Sequence, residues 1–101
     1  MIEIKTLKYF DKWIDNLKDN KLKAIIFDRL DRIQYDENFG DYKPLENTKH
    51  IYELRIHYKK GYRIYFVKKA KQIIILLCAG EKEKQKLDIE KAKDILKRGV
   101  E

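Results

Sequence analysis

The segment Tyr52 to Phe66, YELRIHYKKGYRIYF, puts Arg55, His57, Arg63 and Tyr65 at the polar positions of an alternating apolar pattern. Two guanidiniums, an imidazole and a phenol are groups that can bind a phosphodiester and act on it. Arginine offers a planar fork of donors matched to phosphate oxygens. An imidazole, with a reference pKa of ~6.5, is suited to proton transfer. Where a ribose 2′-OH serves as internal nucleophile, the protein needs only a base, an acid and cations for the pentacovalent transition state. The chain has no Gly-rich phosphate loop and no grouping of carboxylates of the kind that holds Mg²⁺. The expected chemistry therefore needs no metal and no other cofactor.

Whether these side chains meet depends on the hairpin that carries them. A loop of Lys60-Gly61 alone would set His57 against Ile64 and mix polar with apolar positions. A loop of Lys59-Lys60-Gly61, with Gly61 left-handed, sets Tyr58 against Tyr62, Ile56 against Ile64 and Leu54 against Phe66. The second register keeps the apolar positions on one face and is the one the pattern selects. On the other face His57 then opposes Arg63, and Arg55 opposes Tyr65. Opposed like charges destabilise a sheet, so a bound anion would turn a cost into a site. The plainer alternative is that Glu53 pairs with Arg55 or a neighbour. Lys82, Lys84 and Lys86, in GEKEKQK, follow the next strand and either rim the same surface or form a solvated loop. Tyr65 and Lys86 are candidate proton donors. Arg63 ranks first among the catalytic candidates, and its loss is expected to spare the fold because it lies on the polar face.

The rest of the chain supplies the frame. IEIK predicts a short strand and Thr6 a helix cap. Leu7, Phe10, Ile14 and Leu17 form one helical stripe, with Trp13 beside it as a core residue. Asp19 or Asn20 caps a second helix carrying Leu22, Ile25, Ile26, Leu30 and Ile33, and the short break makes the two an antiparallel helical hairpin. ENFGDYKPLENTK reads as one long loop. Three strands follow, His50–Tyr58, Tyr62–Lys69 and Gln72–Ala79, the last apolar throughout and so inside the sheet. Asp88 caps a final helix with Ile89, Ala92, Ile95 and Leu96 inward, and Gly99 stops it. The order β-α-α-β-β-β-α predicts one α+β domain over residues 1–101, with helices on a small, mainly antiparallel sheet.

Composition bounds the function classes. Lys and Arg number 24 against 17 Asp and Glu, a formal net charge of +7 in 101 residues, which suits a polyanionic or acidic partner. The single cysteine, Cys78, cannot form an internal disulfide and reads as a buried thiol. The longest apolar run, Ile73 to Ala79, is far short of the ~20 residues that span a bilayer. The N-terminus does not read as a signal peptide, so a cytoplasmic protein without membrane contact is expected.

The element order, the hairpin ELRIHYKKGYRIYF, the strand IILLCAGEK, the tail KQKLDIEKAKDIL and the segment FGDYKPLENTKHIYELRI together resemble the RelE/ParE toxin superfamily. The branch most similar is that of the HigB-like addiction module killer proteins. The resemblance spans essentially the whole chain. It implies a type II toxin that cleaves mRNA on the ribosome, without cofactor, and is silenced by a cognate antitoxin, a helix-turn-helix protein from the adjacent gene. Carried onto this sequence, it implies working roles for Arg55, Arg63, Lys82 and Lys86, and RNA contact by Lys43. His57 and Tyr65 join the catalytic set through the hairpin register, and Lys59, Lys60 and Lys84 join the RNA-binding set. The pair of active-site histidines of some HigB proteins has no clear counterpart here. Two alternatives are a ParE-like inhibitor of DNA gyrase, which would not need the cationic hairpin face, and a basic interaction module without toxicity.

Overall fold

The computed structural model describes residues 1–48 and 50–99. Lys49, the last residue of the expected long loop, lies outside them. The elements are β1 (Glu3–Thr6), α1 (Lys8–Asn16), α2 (Asn20–Asp36), β2 (Tyr42–Pro44), β3 (Ile51–Ile56), β4 (Tyr62–Ala70), β5 (Ile73–Glu81), a 3-10 turn (Lys82–Lys84) and α3 (Gln85–Lys97). The strands form one sheet in the order β1-β5-β4-β3-β2. Among the described residues only the β1–β5 pair is parallel. The α+β class is as expected, and β5 is interior. Among the described residues, no helix is long and apolar enough to cross a membrane.

Each face of the sheet has its own cover. Phe10 and Ile14 of α1 and Leu22, Ile26, Leu30 and Ile33 of α2 pack on Leu54, Ile56, Ile64, Phe66 and Leu76. On the opposite face Ala92 and Ile95 of α3 pack with Ile51, Tyr65, Val67, Ile75, Leu77 and Cys78. Cys78 is buried as expected, and burial pushes its thiol up to about 12.

Four local expectations change. Thr6 does not cap α1; it stays in the ladder opposite Leu76, and Leu7 holds the cap position without a side-chain bond. Asp19 does cap α2, accepting from the Lys21 and Leu22 amides at 3.1 Å each. The long loop contains β2, an edge strand that the proline and glycine around it disguise: Tyr42 pairs with Leu54, Lys43 with Glu53 and Pro44 with Tyr52. Pro44 is tolerated because the strand is outermost. Asp88 does not cap α3. The 3-10 turn brings the helix in earlier, so Asp88 falls inside its first turn.

The fourth change is the hairpin register. The ladder ends at Ile56↔Tyr62, leaving a loop of His57 to Gly61, and then runs Arg55↔Arg63, Leu54↔Ile64, Glu53↔Tyr65 and Tyr52↔Phe66. This lies two residues from the expected register. Sheet periodicity is two, so the shift preserves which residues share a face and changes every partner. Tyr58 leaves the ladder because its hydroxyl reaches Asp19, at 3.1 and 3.3 Å from the two carboxylate oxygens, and Lys59 joins it at 3.2 Å. Lys59 (φ 50°) and Gly61 (φ 89°) take left-handed backbone, and the Gly61 amide donates to the Tyr58 carbonyl at 2.9 Å.

Candidate functional site

The true register builds two polar rows across the sheet face that α3 partly covers. One row is Asp41, Arg55, Arg63 and Gly80; the next is Lys43, Glu53, Tyr65 and Cys78. His57 therefore does not oppose Arg63. The directly opposed pair is Arg55 and Arg63, a sharper like-charge conflict than the expected one.

Glu53 resolves it. The side chain is fully buried, with one carboxylate oxygen 3.2 Å from Arg55 Nε and 3.7 Å from Arg63 Nε. Gln85 Nε2 donates to the other oxygen at 2.7 Å, tying the start of α3 to the strand. At 3.7 Å the Arg63 contact is electrostatic, and Arg63 Nε has no hydrogen-bond acceptor among the described residues. The anion that the opposed arginines require is thus built into the protein, and the plainer reading of Glu53 describes this face. Glu53 alternates with apolar residues exactly as a solvated strand residue would, so its sequence context carried no sign of burial.

Arg63 and Tyr65 are consequently not surface groups. Arg63 is buried, donates through Nη1 to its neighbour's carbonyl at 3.1 Å, and shares Glu53. Its removal would empty a buried site and leave Arg55 as the one counter-charge of Glu53 among the described residues, against the expectation that no buried contact is lost. Tyr65 is fully buried and its hydroxyl has no partner among the described residues; burial, then the nearby Glu53 and Asp88 carboxylates, push its pKa upward. Arg55 keeps solvent access, with 28% of its side chain exposed.

His57 projects from the loop at 67% exposure and bonds through Nε2 to Asp41. That bond is the largest cause holding the Asp41 carboxyl below its ordinary range. The other Asp41 oxygen lies 3.9 Å from Arg55 Nη1. Arg29 sets this corner. Its guanidinium donates to the carbonyls of Phe39 at 3.0 Å and of Arg55 and Asp41 at 2.7 Å each. Gly40 (φ 67°) lets the chain pass it, since a Cβ there would lie 2.7 Å from Arg29 Nε. Neither Arg29 nor Asp41 was singled out from the sequence. A helix arginine and a loop aspartate look like solvated charges until the fold joins them.

The lysines divide by partner. Lys82 sits against the hairpin loop: its amide donates to the Gly61 carbonyl at 3.0 Å, and its side chain and Arg63 Nη1 both flank Gly61. Lys84 and Lys86 are exposed on the 3-10 turn and the first turn of α3. Lys43 is exposed on the edge strand, level with Glu53. Lys59 and Lys60 are held in ion pairs, with Asp19 at 3.2 Å and Glu81 at 3.1 Å. Asp88 faces the same layer from above. One of its oxygens is buried without a partner among the described residues, and a Cβ on Gly80 would come within 2.0 Å of it. Burial raises its pKa, against the opposing pull of Lys91 and Lys84.

The arrangement can therefore bind an anion through Arg55 and the lysines of the 3-10 turn, and can exchange a proton through a carboxylate-held imidazole. Residues 12–99 match the family described as phage derived protein Gp49-like (DUF891). The chain is 44% identical over 92 residues to an uncharacterized protein of Haemophilus influenzae, which covers 91% of this chain and 90% of that protein. Its fold is similar to that of the isolated Escherichia coli RelE toxin, with TM-score 0.65, 16% identity, and coverage of 94% of this chain and 99% of that one. It is similar also to a chain of the RelB–RelE antitoxin–toxin complex of Methanococcus jannaschii, with TM-score 0.64, 18% identity, and coverage of 84% and 96%.

Proposed function

We propose that this chain, which belongs to the phage-derived Gp49-like family and carries the RelE fold, is the toxin of a type II toxin–antitoxin system. In this reading it is of the HigB-like kind and acts in the cytoplasm as a ribosome-dependent endoribonuclease on mRNA. The observation that carries the proposal is the polar relay at one end of the sheet, Gln85–Glu53–Arg55–Asp41–His57, flanked by the lysines that begin α3.

The roles follow from that geometry. Arg55 has its Nε committed to Glu53 and offers its terminal nitrogens to a phosphodiester. Asp41 holds one ring nitrogen of His57 and leaves Nδ1 to exchange a proton with the attacking 2′-OH. Lys82, whose side chain flanks Gly61, and Lys86, exposed on the first turn of α3, neutralise charge as the phosphorane forms. Arg63 and Tyr65 serve from below, Arg63 by sharing Glu53 with Arg55. Lys43, Lys59, Lys60 and Lys84 extend the cationic surface along which RNA lies.

RelE chains have been solved with RelB antitoxins, and an antitoxin from the adjacent gene is the proposed partner here, an acidic or amphipathic segment of it lying on the cationic surface. The test is induced expression of this chain with mapping of mRNA 5′ ends. Cleavage within translated reading frames is expected. Intact transcripts accompanied by DNA damage would point instead to gyrase and overturn the reading.

A further inference from the structure

On the far side of Asp88 from the polar relay lies a groove of about 300 Å³, lined by Tyr9, Lys12, Trp13 and Asn16 of α1, Cys78 and Ala79 of β5, and Lys91 of α3. It exists because β1 is short. The β1–β5 ladder stops at Thr6↔Leu76 and the chain then turns into α1, so Cys78 and Ala79 have a strand neighbour only in β4. The other side of that edge is bordered by one face of α1, where Tyr9, Trp13 and Asn16 recur at helical spacing.

The chemistry of the lining is specific. Trp13 is half-buried, packed by one side against the core as expected, and meets Phe10 and Tyr62 at tilted angles of 42° and 56°, so neither of those rings stacks flat on the indole. Tyr9 gathers two ammonium groups, Lys8 at 5.3 Å and Lys91 at 5.6 Å from its ring centre. Asn16 adds an amide that can both donate and accept. Among the described residues, no carboxylate lines the groove. The acidic neighbours are Asp11 and Asp15 on α1 and Asp88, which is turned toward Gly80. Aromatic walls with cations and an amide are the means by which proteins take unpaired bases and their phosphates.

We propose that this groove is a nucleotide subsite for single-stranded RNA, a base lying on Trp13 and the backbone phosphate meeting Lys12 and Lys91. The inference rests on the ribonuclease reading and extends it. Ala79 and Lys82 are three residues apart along β5 and its continuation, ~10 Å in extended chain. The groove is therefore near enough to Lys82 for one RNA strand to reach both. The aromatic contact is sequence-tolerant, which suits an enzyme that must engage many transcripts.

Trp13 is the chain's only tryptophan, so its emission reports the groove directly. The probe is a 2′-O-methyl hexaribonucleotide, which cannot be cleaved, titrated into the whole chain while the anisotropy of a labelled copy follows total binding. Trp13 emission should change saturably in step with anisotropy. Lys12→Ala and Lys91→Ala should each weaken binding and lower the slope of log affinity against log salt by about 0.7. Arg55→Ala should weaken binding yet reach the same Trp13 end-point at saturation. Flat Trp13 emission while anisotropy rises overturns the subsite and leaves the ribonuclease reading standing. Loss of the end-point in Arg55→Ala overturns it as an indirect effect, and an equal response to a polyglutamate peptide overturns it in favour of an acidic-peptide surface. Absence of both signals overturns the subsite, while the ribosome-dependent reading stands or falls by the mapping of mRNA 5′ ends.

Discussion

Glu53 and Leu54 are neighbours on β3, both fully buried, and they point to opposite faces of one sheet. Leu54 enters the layer under α1 and α2, where it meets Ile56, Ile64 and Phe66. Glu53 enters the layer under α3, where it meets two arginines and a glutamine. Apolar burial is non-directional, so the first layer would accept any register that keeps its residues together. The second layer would not, because each charge needs a particular opposite at a particular distance.

The largest expected effect comes from breaking the second layer. Glu53→Ala leaves Arg63 buried beside Arg55 without a counter-charge and should destabilise the fold by about 3–5 kcal/mol. Leu54→Ala should cost about 2–5 kcal/mol, by cavity formation. Loss of size alone cannot separate the two, but coupling can. Adding Arg63→Met should recover part of the Glu53→Ala loss and none of the Leu54→Ala loss, as read by urea denaturation. Additivity of Glu53→Ala and Arg63→Met within about 0.5 kcal/mol would mean that the ion pair is not what holds this layer.

Arg55→Ala sharpens the comparison, since Arg55 lies in the polar layer yet reaches solvent. It should lower single-turnover cleavage about 10²–10³-fold in a chain that still folds by circular dichroism, and since it also removes the nearer counter-charge of buried Glu53 it should cost stability, as Arg63→Ala does. A wild-type rate in a folded Arg55→Ala protein would take phosphate contact away from this residue.

Smaller effects separate the layers by pH. Burial raises the Asp88 carboxyl in the folded chain, so the native state binds its proton more tightly than the unfolded state does and stability falls as pH rises through the raised value. Asp88→Asn should therefore stabilise at pH 7, and the gain should shrink toward pH 4. Asp19 behaves oppositely. The Leu22 amide first, and then Lys59 and Tyr58, hold its carboxyl below the ordinary range. Its contribution is complete above the unfolded value of ~3.9 and is lost as pH falls through the lowered one. Asp19→Asn should flatten the stability curve below pH ~4 and leave the slope near neutrality unchanged. Thermal melts across pH measure both, and a flat difference between Asp88→Asn and the parent would remove the buried-carboxyl account.

Much of the frame was legible in the sequence, and particular residues show why. Leu22, Ile26, Leu30 and Ile33 recur at helical spacing and are all buried, because one apolar stripe can face only one way. Leu54, Ile56, Ile64 and Phe66 alternate and share a face whatever the loop length. Arg55, Arg63 and Tyr65 share the other face for the same reason. β2 was illegible because only three residues pair, on an edge where Gly40 and Pro44 give the signals of a loop.

Periodicity by itself therefore determined every helix and strand but β2, the two faces of the sheet and the gathering of basic groups on one of them. Only the tertiary structure decided which group opposes which. Tyr58 left the ladder because Asp19, a helix cap far away in sequence, lay within reach of its hydroxyl, and that moved the register by two. The shift set Arg55 against Arg63 and buried Glu53 between them. A period of two is local and survives such a shift, whereas a salt bridge depends on distances that only the packed chain sets.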